Sequence, residues 1–571
     1  MDLTYETVKK EQQYLEKYRR DYEPLKRICC DLTYPERVGA WDYQHSVTGI
    51  KVKGKKNRSR IKRVYDPTAS KAFDIWSSGI IGHYMPKDIN WFAEELSDRK
   101  FKDSKPVIKW LQDTDDHLRY VLRSSGGLGS GNNYYTQKAV AIKDGGCIGD
   151  SFMYIERDKE TGKLFMQTGH PNEFWVRRDY WGRIITIHHK TVSSMRDLVE
   201  EYGITALNHD QQVIYNDKES NKDTPITVIH GCYKNKDYQP DQPGVVNMRW
   251  QQVYINVEGK HKILQTGSRK LNPIPWSLNR PSSEMYGRGI IASMLIEIFT
   301  ANFIAHDMLT ASSVAVRPPM LMTQALRHKL DMGAGAVNFV DNIEMGGIRM
   351  GDLVTRLIDS SGYPFGVEQH AMWQSVINDR LGVSLFLALN MESAQGYKNI
   401  EHIQSARAER AILMAPFLST LNITTDLELD RVWDLELDAG NAPEIPLEVA
   451  ERTNGGVDIN YIGPLSQLLK QYYEVGNLMA TISNMKSVME IDPDAAIVLE
   501  TDELARRILR GGNSPEDVIR SREDITEIKA IAAQQAEDAR QLELMKVGAS
   551  VVPDLGKKIE EDSVLAGMKA A

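Results

Sequence analysis

Two apolar stretches with helical periodicity, residues 290–309 and 367–389, bracket about fifty residues rich in Pro, Gly and Met. This arrangement constrains the fold more than any other feature: two rods joined by a small excursion, with no pocket for chemistry implied between them. Glu297, Asn302, His306 and Asp307 interrupt the first rod, and Asn378, Asp379 and Arg380 the second, so neither predicts a membrane span. A long apolar rod needs neighbours. A closed cyclic assembly gives every rod two of them and leaves no free edge.

The chain of 571 residues has room for several domains. Its net charge of −8 excludes a global basic field and argues against a free DNA-binding protein. The same charge suits an ordinary acidic protein, and equally a surface that must not grip polyanions, because phosphate contacts supply most non-specific affinity. Cys29, Cys30, Cys147 and Cys232 form neither a C-x-x-C pair nor a secreted framework, so buried reduced thiols are expected. The opening Met1-Asp-Leu-Thr-Tyr-Glu6 shows no basic-then-apolar leader, and the expectation is a soluble protein that matures in a reducing cytoplasm.

Residues 2–30 read as a charged amphipathic helix with Tyr14, Tyr18, Leu25 and Ile28 at helical spacing, kinked or restarted at Pro24 and ended by Pro35. Residues 36–64 read as a loop or hairpin, and Asp66-Pro67 starts a second helix that runs to about Trp91-Phe92. From Gly145 to about Thr266 the pattern is β-rich: Ser151–Ile155, Ile184–Ile187, Thr227–Ile229 and Val253–Val257, with turns at Asp179–Gly182 and Glu258-Gly259 and a helical insert at Met195–Tyr202. A helix from about Asn399 should kink or break at Pro416. Beyond Pro446 the chain reads as helical. Helix starts are marked by Ser514-Pro-Glu-Asp517 and Ser521-Arg-Glu-Asp524, and fraying is expected after Gly548. The fold class is α+β.

Motifs for chemistry are weak. Gly126-Gly-Leu-Gly-Ser-Gly131 lacks the Lys-Ser/Thr of a phosphate loop, and no apolar strand precedes it. Asp113-Thr-Asp-Asp116 lacks the glycine and distal glutamate of a calcium loop and reads as an acidic helix surface. His188-His189 lies in a strand pattern, which sends the two rings to opposite faces, and no further histidine stands at ligand spacing. No catalytic residue, cofactor or metal is called.

Seven short motifs recur in one order: Tyr65-Asp-Pro-Thr-Ala69, Asn272-Pro-Ile-Pro-Trp276, Tyr286-Gly-Arg-Gly289, Arg317-Pro-Pro319, Asn399-Ile-Glu-His-Ile-Gln-Ser-Ala-Arg407 continuing to Met414-Ala-Pro-Phe417, Tyr461-Ile-Gly-Pro-Leu465, and Gly511-Gly-Asn-Ser-Pro-Glu-Asp-Val-Ile-Arg-Ser521. In this order and spacing, from about Tyr65 to Ala533, the chain resembles the head-to-tail connector, or portal, proteins of short-tailed bacteriophages. The resemblance implies an N-terminal α/β wing (1–285), a first stem helix (286–313), a small clip (314–364), a second stem helix (365–387), a channel loop (388–399), a wing helix and return (400–455), and a helical crown with a tail (456–571). It implies a homo-oligomeric ring of twelve at one capsid vertex of the virion, assembled in the host cytoplasm. Through it the terminase packages double-stranded DNA, which is later ejected. The implied partners are the terminase large subunit, major capsid and scaffolding proteins, tail adaptor and nozzle proteins, and internal core proteins, with no membrane and no enzymatic step. The alternative is a tail adaptor or other virion structural protein without a channel, against which the long two-rod core argues. A packaging-motor enzyme would need a phosphate loop and catalytic acids.

Glu368 and Asp379 are eleven residues apart, nearly on one helix face, and would stack as acidic rings in a symmetric assembly; an exposed charged stripe is the plain alternative. Arg380 would point elsewhere, toward an adjacent rod. By the resemblance, Gln395, Tyr397 and Lys398 lie on the channel loop and contact DNA, although a ligand-free polar loop fits the same composition. The clip would offer Arg317, Met320, Met322, Arg327, Met345 and Arg349 to partners; its methionines suit either an adaptable binding face or a small core. Lys51, Lys53, Lys55, Lys56, Arg58, Arg60, Lys62 and Arg63 form a basic run without an acid, fitting contact with DNA or a scaffold partner, or a solvated tip paired with a neighbouring acidic face. It has no interleaved aromatics for stacking single strands.

Overall fold

The computed structural model describes residues 3–37, 64–96, 105–126, 133–158, 161–217, 219–239, 244, 247–316, 320–322, 354–356, 363–390, 400–446, 457–463, 485, 502, 504–505, 509, 520 and 522–555. The protein is mixed α and β, and falls into two compact units. The larger comprises residues 1–93, 113–444 and 459–469; the smaller comprises 94–112, 445–458 and 470–571.

The larger unit opens with α1 (Tyr5–Arg19) and α2 (Glu23–Thr33). Pro24 sits in the first turn of α2, where its missing N–H would be unpaired in any case, so the chain restarts there as expected. The buried face of α1 is Tyr5, Val8, Gln12, Leu15 and Arg19, whereas Tyr14, Tyr18, Leu25 and Ile28 are exposed, which corrects the sequence reading. The reason is polar pairing: Gln12 Oε1 lies 2.9 Å from His188 Nδ1, and Arg19 donates to Phe174 O at 2.5 Å while its guanidinium stacks over Trp175. Next comes α3 (Thr68–Tyr84), which ends seven residues before Trp91, short of the expected boundary. Phe92 instead opens β1 (Phe92–Leu96).

Two further helices follow, α4 (Lys105–Ser124) and α5 (Tyr134–Ile148). Within α4, Asp113 and Asp116 are exposed and Asp115 is buried, so that run is an acidic surface only in part. Gly145 and Gly146 belong to α5, because Trp276 and Trp76 occupy the space where their Cβ atoms would lie. The strands therefore begin later than expected, at β2 (Asp150–Arg157), followed by β3 (Leu164–Gly169), β4 (Phe174–Arg178) and β5 (Ile184–Ser194). A capping box between Ser194 and Asp197 starts α6 (Met195–Tyr202), as read from sequence, and α7 (His209–Asn216) is capped by Asn208. Then come β6 (Pro225–Lys234), β7 (Trp250–Asn256), β8 (His261–Ser268) and β9 (Ile274–Ser277).

These strands make an antiparallel five-stranded sheet in the order β4-β5-β6-β7-β8 and a three-stranded sheet in the order β3-β2-β9. As the alternation requires, His188 and His189 diverge. His188 pairs with Gln12 and Tyr233, and His189 stacks on Phe174 at 4.1 Å. All four cysteines are buried and free, and burial raises the Cys29 thiol to about 12.

The chain then forms a short helix α8 (Ile290–Ser293), the first rod α9 (Leu295–Val316), a strand pair β10 (Met320–Met322) with β11 (Val354–Arg356), and the second rod α10 (Tyr363–Arg380) continued by α11 (Val383–Asn390). The helix α12 (Ile400–Asp438) runs through Pro416 without the expected break. Proline removes one backbone donor there, and the burial of Phe417, Leu418 and Leu421 in the main core offsets that loss. The main core gathers Trp76, Trp91, Tyr134, Trp276, Phe386 and Phe417 from α3, α5, β9, α11 and α12 and from the segment before β1.

A strand, β12 (Val457–Tyr461), stands where the sequence reads as helical. In the smaller unit, α13 (Arg522–Leu555) continues past Gly548 to Leu555, and Ser521, read as its N-cap, lies outside the described residues. Lys529 of α13 pairs with Asp502. Ser514 and residues 127–131 of the glycine-rich run lie outside the described residues.

Candidate functional site

The two rods lie antiparallel. Met308 near the end of α9 sits beside Gly366 near the start of α10, and Arg380 at the end of α10 pairs with Glu297 at the start of α9. Arg380 thus points away from Glu368 and Asp379, and the adjacent rod it meets is α9 of the same chain. Glu368 and Asp379 are both exposed on α10, within about 20° of each other around the helix axis by their spacing. Apolar side chains are also exposed on both rods: Ile296 and Phe303 on one side of α9, Leu309 and Val316 toward the other by their spacing, and Phe365 and Met372 on α10. Ile296 is 77% exposed and Val316 76% exposed. Among the described residues no helix is long and apolar enough to cross a membrane.

The roots of the rods are held by the motifs singled out in the sequence. The Asn302 carboxamide oxygen of α9 accepts the N–H groups of Tyr65 and Asp66 at 2.7 and 3.2 Å, and the Tyr65 ring meets His306 edge-on at 4.6 Å. On α10, Gln374 Nε2 donates to Thr68 Oγ1 at 2.9 Å, and His370 Nε2 lies 3.6 Å from Asp66 Oδ2. Asp66 also accepts from Thr68 N at 3.0 Å, which fixes the start of α3. One five-residue segment therefore clamps both rods.

Tyr286-Gly-Arg-Gly289 works by close backbone approach. A Cβ on Gly287 would lie 2.2 Å from Gly149 O, and one on Gly289 would lie 2.4 Å from Cys147 O, so only glycine lets the chain cross the end of α5. Tyr286 Oη accepts from Val176 N at 3.2 Å, and its ring carries the Lys26 ammonium at 4.7 Å. Asp150 ties the crossing together: Oδ1 accepts from Gly287 N at 2.9 Å and Ser277 Oγ at 2.7 Å, and Oδ2 pairs with Lys26.

Tyr461-Ile-Gly463 braces α12. Tyr461 stacks on Tyr84 at 5.5 Å and donates to Asp426 Oδ1 at 2.6 Å. A Cβ on Gly463 would lie 2.1 Å from Tyr84 O. Deeper along α12, the buried Glu428 carboxylate receives Lys138 Nζ at 2.6 and 2.7 Å and Tyr134 Oη at 2.9 Å. Burial pushes the Lys138 ammonium down while Glu428 opposes that shift; burial also raises the Tyr134 hydroxyl, so it serves as a donor.

Met320 and Met322 lie on β10 with Met320 opposite Arg356 and Met322 opposite Val354. Arg317, Arg327, Met345, Arg349, Gln395, Tyr397, Lys398 and the basic run from Lys51 to Arg63 lie outside the described residues. Sequence reasoning marked Asn302 only as an interruption of the first rod and missed Gln374, Asp150 and Glu428. Each is a polar residue in an apolar or irregular segment, a signal for a buried partner that does not say which partner. Among the described residues no three His, Cys, Asp or Glu side chains come together to hold a metal ion.

The described geometry is that of two clamped rods with apolar side chains left uncovered on the single chain. Over residues 5–519 the chain matches the family described as bacteriophage head to tail connecting protein, and it belongs to that family. It is 20% identical over 514 residues to the portal protein of Salmonella phage epsilon15, with 88% of each chain covered. The family consists of virion structural proteins of the portal, or head-to-tail connector, class.

Proposed function

We propose that the chain is one subunit of a closed portal ring, expected to hold twelve copies, at one vertex of a phage capsid. Genomic double-stranded DNA is packaged and later ejected through its centre, and the ring itself breaks no bonds. The observation that carries this reading is the pair of antiparallel rods with apolar side chains left uncovered on a single chain. In a cyclic arrangement each uncovered flank meets the flank of the next copy, and the contact closes without a free edge. In this reading residues 286–313 and 365–387 are the stem, 314–364 the clip that meets the terminase and then tail proteins, and 388–399 the channel loop. Residues 1–285 with 400–455 form the wing, and 456–571 the crown and tail. Glu368 and Asp379 line the passage as acidic rings that withhold tight phosphate binding. The charge on α10 favours this reading over a tail adaptor without a channel. Assembly proceeds in the host cytoplasm with capsid and scaffolding proteins.

The test is electron microscopy of the purified protein together with mass by light scattering. Rings with a central hole and a mass near twelve subunits are expected. A compact monomer or dimer without a hole, in the presence of scaffolding protein, overturns the ring.

A further inference from the structure

The turn between β4 and β5 carries the most exposed aromatic side chains among the described residues. Tyr180 is 93% exposed and Trp181 76% exposed, and their rings meet edge-on at 5.3 Å. This turn is rigid. Asp179 Oδ1 accepts the N–H groups of Trp181 and Arg183 at 3.0 and 2.8 Å, Asp179 Oδ2 holds Arg183 Nε at 2.8 Å, and Gly182 supplies the positive φ of 80°. Beneath it, Arg178 donates to Gly182 O at 3.1 Å, and the Arg280 guanidinium lies so close that a Cβ on Gly182 would sit 2.6 Å from Nη2. Among the described residues Arg280 donates to the carbonyls of Pro281 and Glu284. The tip therefore carries Arg183 and Arg280 beside Asp179, with Arg178 tied inward to Met285 O, Gly182 O and Ser277 Oγ, and two large amphipathic rings project from this preorganised base. Rigid exposed Trp and Tyr with a neighbouring Arg have the composition of a binding hot spot.

A complementary surface lies on α12. Ile423, Leu427, Asp430, Asp434 and Leu437 follow helical spacing on one face, and Ile423 is 61% exposed. Lys270 pairs with Asp430 at 2.9 Å and Arg269 with Asp438 at 2.9 Å. Between them, Asp434 Oδ2 is buried and has no hydrogen bond among the described residues, a state that costs free energy until a donor arrives. The face exposes Ile423, Leu427 and Leu437 beside the carboxylates of Asp430, Asp434 and Asp438, and Lys270, Arg269 and Arg431 stand near Asp434 without bonding its Oδ2. The tip is aromatic and cationic, and offers donors.

We propose that the Tyr180–Trp181 tip of one copy docks on the Ile423–Leu437 face of α12 in the next copy, with Trp181 against Ile423 and Leu427 and an arginine of the tip on Asp434. The two surfaces differ, so the contact is head-to-tail, as a closed ring requires. This proposal rests on the ring reading above and adds a second contact, separate from the rods.

The test uses the full chain with Trp181→Cys and Leu427→Cys together, oxidised after assembly and followed on denaturing gels beside micrographs. The native cysteines are buried, so new bonds report the introduced pair. A ladder of covalent oligomers rising toward the full ring is expected. Equal mixing of chains that carry only one substitution each should stop at covalent dimers, the signature of two different surfaces. Rings without the ladder overturn this contact and leave the ring reading intact, whereas absence of rings in the unsubstituted chain overturns both. A bond formed within one chain also overturns the contact. Separately, Trp181→Ala should raise the concentration for half-assembly at least tenfold without changing the unfolding of the isolated chain, since the ring is solvent-exposed there. An unchanged assembly curve overturns the proposal.

Discussion

Gly149 and Gly287 cross backbone to backbone, so that a Cβ on Gly287 would lie 2.2 Å from Gly149 O and 2.5 Å from Leu278 O. Neither neighbour is the movable end of a flexible side chain. Gly149 adds a φ of 94°, which closes α5 in the left-handed region. The first rod leaves the sheets at this crossing.

Gly287→Ala should therefore destabilise the larger unit by about 3 kcal/mol, at the upper end of overpacking costs. Gly82→Ala, within α3 and with nothing inside 4 Å of the added Cβ, should stabilise it by about 0.5–1 kcal/mol. Urea denaturation followed by circular dichroism measures both. Equal effects from the two substitutions would remove the crossing as the cause.

Lys138 and Glu428 form an ion pair in which both side chains are about 2% exposed. Lys138→Met leaves a buried carboxylate that keeps the Tyr134 hydroxyl as a donor but loses its counter-charge, and should cost about 3–5 kcal/mol. Lys138→Met combined with Glu428→Gln removes the stranded charge and should recover at least half of that loss. A double variant as unstable as the single one would show that packing, not charge, sets the cost.

His170, His188 and His230 are each held neutral in the fold, at about 3, first of all by burial; nearby Arg37 contributes at His170, and His189 at His230. Their folded values lie below the unfolded value of about 6.5, so the unfolded chain binds more protons beneath that pH. Stability is full above about pH 6.5 and falls as the pH drops toward 3, by up to about 1.4 kcal/mol per pH unit for each histidine. Denaturation midpoints at pH 7.5, 6.5 and 5.5 should show the decline beginning between the last two. Replacing His188 with Gln should make it shallower, and an unaltered slope would take His188 out of the account.

Glu368→Lys with Asp379→Lys should leave ring assembly intact and slow DNA passage, because basic rings grip phosphate. The slowing should ease as salt rises, the mark of counterion release. In vitro packaging at two salt concentrations reads both effects, and a wild-type rate for the double variant would sink the acidic lining. Deletion of Lys51–Arg63 tests the basic run, and an unchanged particle yield would reduce it to a solvated tip.

Much of the local structure was legible because its causes are local. Pro24 restarts a helix, Ser194 and Asp197 cap one, and Asp179-Tyr-Trp-Gly182 makes a turn, all through neighbours a few residues away. Glycine-rich and aromatic motifs also marked the right places, as Tyr286–Gly289 and Tyr461–Gly463 show, although the sequence does not name the backbone each glycine meets. The errors fell where distant partners decide. Gln12 and Arg19 occupy the buried face of α1 because His188 and the Phe174 carbonyl need them, and Pro416 stays inside α12 because the residues after it are buried. Sequence by itself determined the α+β class, the two rods, and the motif order that marks the family, since periodicity, caps and turns act over one or two turns of chain. Only the tertiary structure decided that Tyr65–Thr68 clamps both rods, that Asp150 holds the crossing, and which apolar side chains remain uncovered. Those facts depend on which buried polar group finds which partner across hundreds of residues, a choice made by packing and desolvation.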